Sequence, residues 1–285
     1  MSQTEAQGTG DSDATTSMEA PATGAAGSSE ARVLVKEVVI HAPADAVWRA
    51  LSDAEELRRW FPADARVEPG VGGKVWVSWG PGMEWEQGID IWEPGRHLRV
   101  SSPMPGASVP FATDYYIDVR GDTTVLRLVN SGFGEGADWD DMYFGMDGGW
   151  SYFLFNLRHY LERHPGKPRS LAFERRRIGL PRSEFFPDAL RALGRGDSST
   201  PLPGAAVTIP LGDRRYDGRV ALALKDHLAV VVPALDDALL FLELEPGAAP
   251  HLGVYLSTYG TGPDRAEDLR KRLGAFADVL VPPGV

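Results

Sequence analysis

Apolar and polar residues along this chain first alternate, then fall into a helical rhythm, then alternate again. Val33, Val35 and Val39 stand against Lys36 and Glu37, so residues 33–40 read as a first strand. Pro43 follows where a helix can begin, its fixed φ suiting a first turn, and Val47, Trp48 and Leu51 give that helix an apolar edge. Asp53 with Glu56 three residues later has the form of a capping box for a second short helix, which Pro62 ends. After the Gly72-Gly73 turn, Val75, Val77 and Trp79 alternate with Lys74, Trp76 and Ser78. Met83 and Trp85 alternate with Glu84 and Glu86, and Gly88 marks a bulge. Residues 98–100, 111–119 and 125–129 complete a meander. In its middle strand Phe111, Thr113, Tyr115, Ile117 and Val119 share one face against Asp114 and Asp118.

A period of 3.6 then takes over. From Asp141 to Arg163, residues Tyr143, Met146, Trp150, Phe153, Leu157, Tyr160 and Leu161 fall on one side of a long helix, away from Asp147, Arg158 and Glu162. Such a stripe must be buried, and the sheet is the surface available. Tyr152 and Phe155 lie on the back of this helix, which points to a contact with the second half of the chain or with a second subunit.

His164-Pro165-Gly166-Lys167-Pro168 stops the helix, so residues 165–170 read as a linker. Beyond it the pattern repeats in shortened form. A strand is expected at 171–178, then Leu180-Pro181 leading to Phe185, Phe186, Ala189 and Leu190, and a loop from Gly194 to Gly204. Strands are expected near 205–211, 218–224, 228–233, 238–245 and 252–258, with a helix from Asp264 to Val279. Pro43 and Pro181 are 138 positions apart, as are Val33 and Leu171, which sets Trp48 opposite Phe186. The division expected is a disordered tail at 1–31, one domain at 32–164, the linker, and a degenerate second copy at 171–285. An unrelated α+β domain is the alternative for the last of these.

Two stretches carry a family resemblance. One runs from Ile40-His41-Ala42-Pro43 through Val47-Trp48-Arg49-Ala50-Leu51 to Trp60-Phe61-Pro62. The other is Asn130-Ser131-Gly132-Phe133 followed by Gly145-Met146-Asp147-Gly148-Gly149-Trp150. Together they resemble the SRPBCC (START-like) superfamily, in its branch named for the activator of heat-shock protein 90 ATPase, over residues 33–164. The resemblance implies an α+β helix-grip fold, an antiparallel curved sheet wrapped around a long C-terminal helix. It also implies an apolar cavity between the two. Asn130 stands where the family often has a histidine or another polar residue, and an amide cannot exchange protons near neutral pH.

Composition narrows the chemistry. The 285 residues carry a net charge of −11, which disfavours nucleic acid and anionic membranes as partners. There is no cysteine, hence no disulfide, thiolate nucleophile or Cys-ligated zinc. No apolar run reaches the ~18 residues of a membrane span. Residues 1–31 hold no Lys, Arg, Leu, Ile, Val or aromatic and do not read as a secretory signal, so a cytoplasmic location is expected.

The aromatic set is the main functional clue. Burying one Trp or Phe removes ~150–250 Å² from water, worth roughly 4–6 kcal/mol, so these side chains turn inward with or without a ligand. The expected ligand-binding residues are Trp60, Phe61, Trp79, Trp85, Tyr115, Phe133, Trp150 and Phe153, with Arg99, Thr113 and Asn130 as polar members. No catalytic, cofactor or metal set stands out. His159 and His164 are five apart, the wrong spacing for two ligands on one helix face, and neither a Gly-x-Ser-x-Gly elbow nor a P-loop is present. Glu84 and Glu86 read as a solvated pair. The Gly145–Gly149 run reads as a place of close backbone approach, and Arg195-Gly196-Asp197 as a chance loop.

Three functions fit. The first is a module that binds a small apolar or aromatic molecule without chemistry of its own. The second is an enzyme like the polyketide cyclases and aromatases of the superfamily, with Tyr115 and Arg99 as acid–base groups. The third is a chaperone-interacting protein.

Overall fold

In a computed structural model, which describes residues 32–104, 109–134, 136–179, 193, 202–245 and 250–281, the alternating segments pair into two antiparallel sheets. The first half contains β1 (Leu34–Ile40), α1 (Ala44–Ser52), α2 (Ala54–Arg58), β2 (Asp64–Glu68), β3 (Lys74–Ser78), β4 (Glu84–Glu93), β5 (His97–Ser102), β6 (Phe111–Arg120), β7 (Thr123–Ser131) and α3 (Ala137–Arg163). The second contains β8 (Arg169–Arg177), β9 (Ala206–Leu211), β10 (Arg214–Ala223), β11 (His227–Val232), β12 (Ala238–Glu245), β13 (His251–Tyr259) and α4 (Pro263–Leu280).

The strand orders are β1-β7-β6-β5-β4-β3-β2 and β8-β13-β12-β11-β10-β9. In each, the first strand pairs with the last, the meander runs outward from there, and a helix follows the final strand. The second sheet is thus a copy of the first with one meander strand fewer, and the fold is α+β helix-grip in tandem. The expectations for residues 1–31, for 180–192 including Phe185, Phe186, Ala189 and Leu190, and for the Arg195-Gly196-Asp197 loop lie outside the described residues.

Four layers result: first sheet, α3, second sheet, α4. Leu228, Val230, Leu240, Leu242, Val254 and Leu256 pack with Leu269, Leu273 and Phe276 of α4. The opposite face of the same strands, with Ala229, Leu239, Phe241 and Tyr255, packs on Tyr152 and Phe155 of α3. Burial on both faces explains why β11 and β12 read as continuous apolar runs. It also explains why α3 buries Tyr152, Asn156 and His159 on what the sequence presents as its back. Tyr152 stacks on Phe241 with ring centroids 3.4 Å apart.

Several local details depart from the sequence expectation. β2 was not foreseen, since five residues give too short an alternation. In β1 it is Leu34 and Ile40 that are buried, while Val33, Val35 and Val39 are exposed. Lys36 is only partly exposed and is paired with Asp147 at 2.7 Å. The irregularity in β4 falls between Ile89 and Ile91 rather than at Gly88. Only half of the capping box forms. Asp53 accepts the Glu56 backbone N–H at 3.0 Å, but the Glu56 carboxylate accepts from the Tyr160 hydroxyl at 2.7 Å instead. β8 begins at Arg169, so the connection from α3 is shorter than 165–170. No helix among the described residues is long and apolar enough to cross a membrane.

Candidate functional site

A cavity of about 420 Å³ lies between the first sheet and α3. β3, β4, β5 and β6 supply one wall: Val75, Val77, Trp85, Gln87, Leu98, Val100, Phe111, Thr113 and Tyr115 all point to the same sheet face. Met142, Gly145, Met146, Gly149, Trp150 and Phe153 of α3 supply the other. Leu51, Leu57, Phe61 and Trp79 close the sides, and Glu243 of β12 enters from the second sheet. Phe61 is the hub of the aromatic wall, with ring centroids 5.1 Å from Trp79, 5.4 Å from Trp150 and 4.7 Å from Phe153.

Seven of the eleven expected residues meet here: Phe61, Trp79, Trp85, Thr113, Tyr115, Trp150 and Phe153. The other four do not line the cavity. Trp60 is fully buried behind Phe61, and its indole N–H donates to the Ala50 carbonyl oxygen at 2.8 Å. Phe61, not Trp60, faces the cavity. Arg99 lies on the opposite face of β5 from Leu98 and Val100, donating to Asp114 at 2.8 Å. Asn130 is buried beneath the wall and donates to the Thr113 hydroxyl oxygen at 2.7 Å, so it reaches the cavity only through Thr113. Phe133 packs on Phe111 and Tyr143 at the near end of α3. Its turn needs Gly132, at φ 87°, where a Cβ would meet the Pro110 carbonyl oxygen at 2.4 Å.

The second half positions this site. Arg169 of β8 donates to the carbonyl oxygens of Phe61, at 3.4 Å, and Pro62. Asn156 of α3 donates to the Trp60 carbonyl oxygen and accepts from the Tyr259 hydroxyl of β13 at 3.2 Å. The segment that aims Phe61 is therefore held from both α3 and the second sheet. Gly148 is a point of close approach between the halves: a Cβ there would lie 2.2 Å from His227 Cε1. This gives the glycine run its physical purpose.

Polar atoms in the wall are few. Tyr115 is buried, and burial pushes its hydroxyl far above the ordinary tyrosine range, so it stays protonated. Trp150 Nε1 and Gln87 Nε2 are buried donors without a partner. Glu243 and Gln87 are the polar lining side chains absent from the sequence expectation, as are apolar ones such as Val77, Val100, Phe111 and Met146. No cluster of His, Asp and Glu able to hold a metal ion occurs among the described residues. His159 donates instead to the Asp237 carbonyl oxygen at 2.8 Å, and His164 stacks on Tyr259.

Comparison with known proteins adds a match to part of the chain. The model described as Activator of Hsp90 ATPase homolog 1-like protein matches residues 41–162. Among solved structures, the Aha1 dimer from Colwellia psychrerythraea is 18% identical, with a TM-score of 0.43, over 47% of this chain and 99% of its own. DynU16, from the dynemicin biosynthetic locus, is 22% identical with a TM-score of 0.40, over 87% of this chain and 97% of its own. The di-domain ARO/CYC BexL of the BE-7585A biosynthetic pathway is 16% identical with a TM-score of 0.41, over 89% and 100%. No curated protein matches the chain in sequence.

Proposed function

We propose that this chain, whose residues 41–162 form a domain of the activator-of-Hsp90-ATPase-homologue-like branch of the SRPBCC superfamily, binds a small hydrophobic or aromatic molecule in the cavity between the first sheet and α3. The observation that carries this reading is the cavity itself. Its volume of about 420 Å³ falls within the ~300–1,000 Å³ typical of small-molecule sites, and its walls are apolar and aromatic with a few polar atoms. In this reading residues 32–164 are the binding module, and the second sheet, from Arg169 of β8 onward, buttresses it and holds its Phe61 wall.

A bicyclic aromatic ligand would bury roughly the 200–250 Å² of a Trp side chain, worth about 5–6 kcal/mol, or a Kd on the order of 100 μM before any polar contact. Calorimetric titration with naphthylmethanol and a panel of polyketide-like and lipid probes tests it. Saturable one-to-one binding that weakens about tenfold in Trp150→Ala supports the reading, and absence of binding by every probe refutes it. The cyclase-like alternative keeps Tyr115 in the wall but loses Arg99, whose guanidinium serves Asp114 on the far side of the sheet. What remains for it is a neutral phenol, a donor rather than a base.

A further inference from the structure

Among the described residues Glu243 is the one formally charged side chain in the cavity wall, and none of their Lys, Arg or His side chains lines it. It comes from β12, carried to α3 at the level of Gly148 and Gly149, and its side chain is only 20% exposed. His227 Nε2 lies 3.5 Å from one of its oxygens, and the Tyr255 hydroxyl donates to the other at 3.4 Å. Both contacts are long, and no Lys or Arg among the described residues pairs with it. A carboxylate withdrawn from water is costly unless a cation or strong donors meet it. A chain of net charge −11 also draws cations toward itself. In the same wall, Trp150 Nε1 is an indole donor, buried and without a partner.

We infer that the cavity selects an aromatic or apolar molecule bearing a protonated amine, its ammonium against Glu243 and a hydrogen-bond acceptor within reach of Trp150 Nε1. The inference rests on the binding function proposed above and names the ligand class for that site. It also makes the site composite, since the charge that discriminates comes from the second sheet.

Three probes of one shape separate the terms: naphthylmethylammonium, naphthylmethanol and naphthoate, titrated calorimetrically at neutral pH. The ammonium should bind at least about tenfold tighter than the alcohol, the advantage of a charge-assisted hydrogen bond, and the carboxylate weakest. In Glu243→Gln the ammonium-to-alcohol ratio should fall to about one. In Tyr255→Phe, which keeps the carboxylate, the preference should persist. Equal binding of ammonium and alcohol by the native chain, or a preference that survives in Glu243→Gln, overturns the inference while leaving the binding function standing. Failure of all three probes to bind overturns both.

Discussion

Gly148 and Gly149 are neighbours on α3, yet replacing each with alanine should move stability in opposite directions. In an open helix position Gly→Ala stabilises by ~1 kcal/mol, because glycine loses more backbone freedom on folding. At Gly149 the new methyl would find its nearest neighbour, Phe153, at 3.9 Å, an ordinary contact, so most of that gain should survive. At Gly148 it would lie 2.2 Å from Cε1 and 2.5 Å from Nδ1 of His227. That ring cannot easily retreat, being buried beside Phe241, with centroids 5.7 Å apart. Overpacking of this kind costs ~1–3 kcal/mol, which cancels the helix gain and leaves a net loss of up to about 2 kcal/mol. At roughly 2 °C per kcal/mol for a chain of this size, Gly148→Ala should melt up to about 4 °C below the native chain and Gly149→Ala about 1–2 °C above it. Thermal unfolding followed by circular dichroism measures both. If Gly148→Ala is as stabilising as Gly149→Ala, the second sheet does not press on α3 at this point, and the composite character of the site fails with it.

Other consequences can be measured separately. Tyr152→Ala removes a ring stacked between α3 and β12, and should cost ~3–5 kcal/mol in denaturant unfolding. A loss under 1 kcal/mol would mean that the two halves do not share this core. Arg99→Ala should leave naphthylmethanol affinity within about twofold of native while lowering the melting temperature, since it strips the buried Asp114 of a cation; a large loss of affinity would put Arg99 in the cavity after all. Burial holds the pKa of both His159 and His164 below the ordinary histidine value. The unfolded chain then binds more protons, so their contribution to stability is complete above about pH 6.5 and is lost as pH falls toward the lowered folded values. His164→Phe keeps the stack on Tyr259 and should flatten the fall in melting temperature between neutral and mildly acidic pH; an unchanged slope would assign that fall elsewhere.

The order of elements was legible because each carries its own period. In sequence β6 sets Phe111, Thr113, Tyr115 and Ile117 against Asp114 and Asp118, and α3 repeats its apolar stripe over several turns. The back of α3 was legible as an interface too, since Tyr152 and Phe155 have no place in water. What escaped was of two kinds. Arg99 was readable and misassigned: Leu98 and Val100 flank it on β5, and a period of two sends it to the opposite face. Glu243 could not be read at all. Along β12 it is one acidic position in a buried strand, and it becomes part of a site only because Gly148 lets the second sheet approach α3. That distance depends on tertiary packing, and no local pattern records it. Trp60 and Phe61 fall between these cases. One of two adjacent aromatics had to face the cavity, and the choice was made by the bonds that Asn156 and Arg169 form with the backbone around them.

The central claim is that a ligand enters the space between the first sheet and α3. The indole N–H resonances of the tryptophans test it most directly in a titration with naphthylmethanol. Those of Trp79, Trp85 and Trp150, which line the cavity, should shift together and saturate with one affinity. Trp60, bonded to Ala50 behind the wall, and Trp76, on the outer face beneath Arg66, should stay in place. Movement of Trp76 with Trp150 unmoved would put the ligand on the surface and contradict the account.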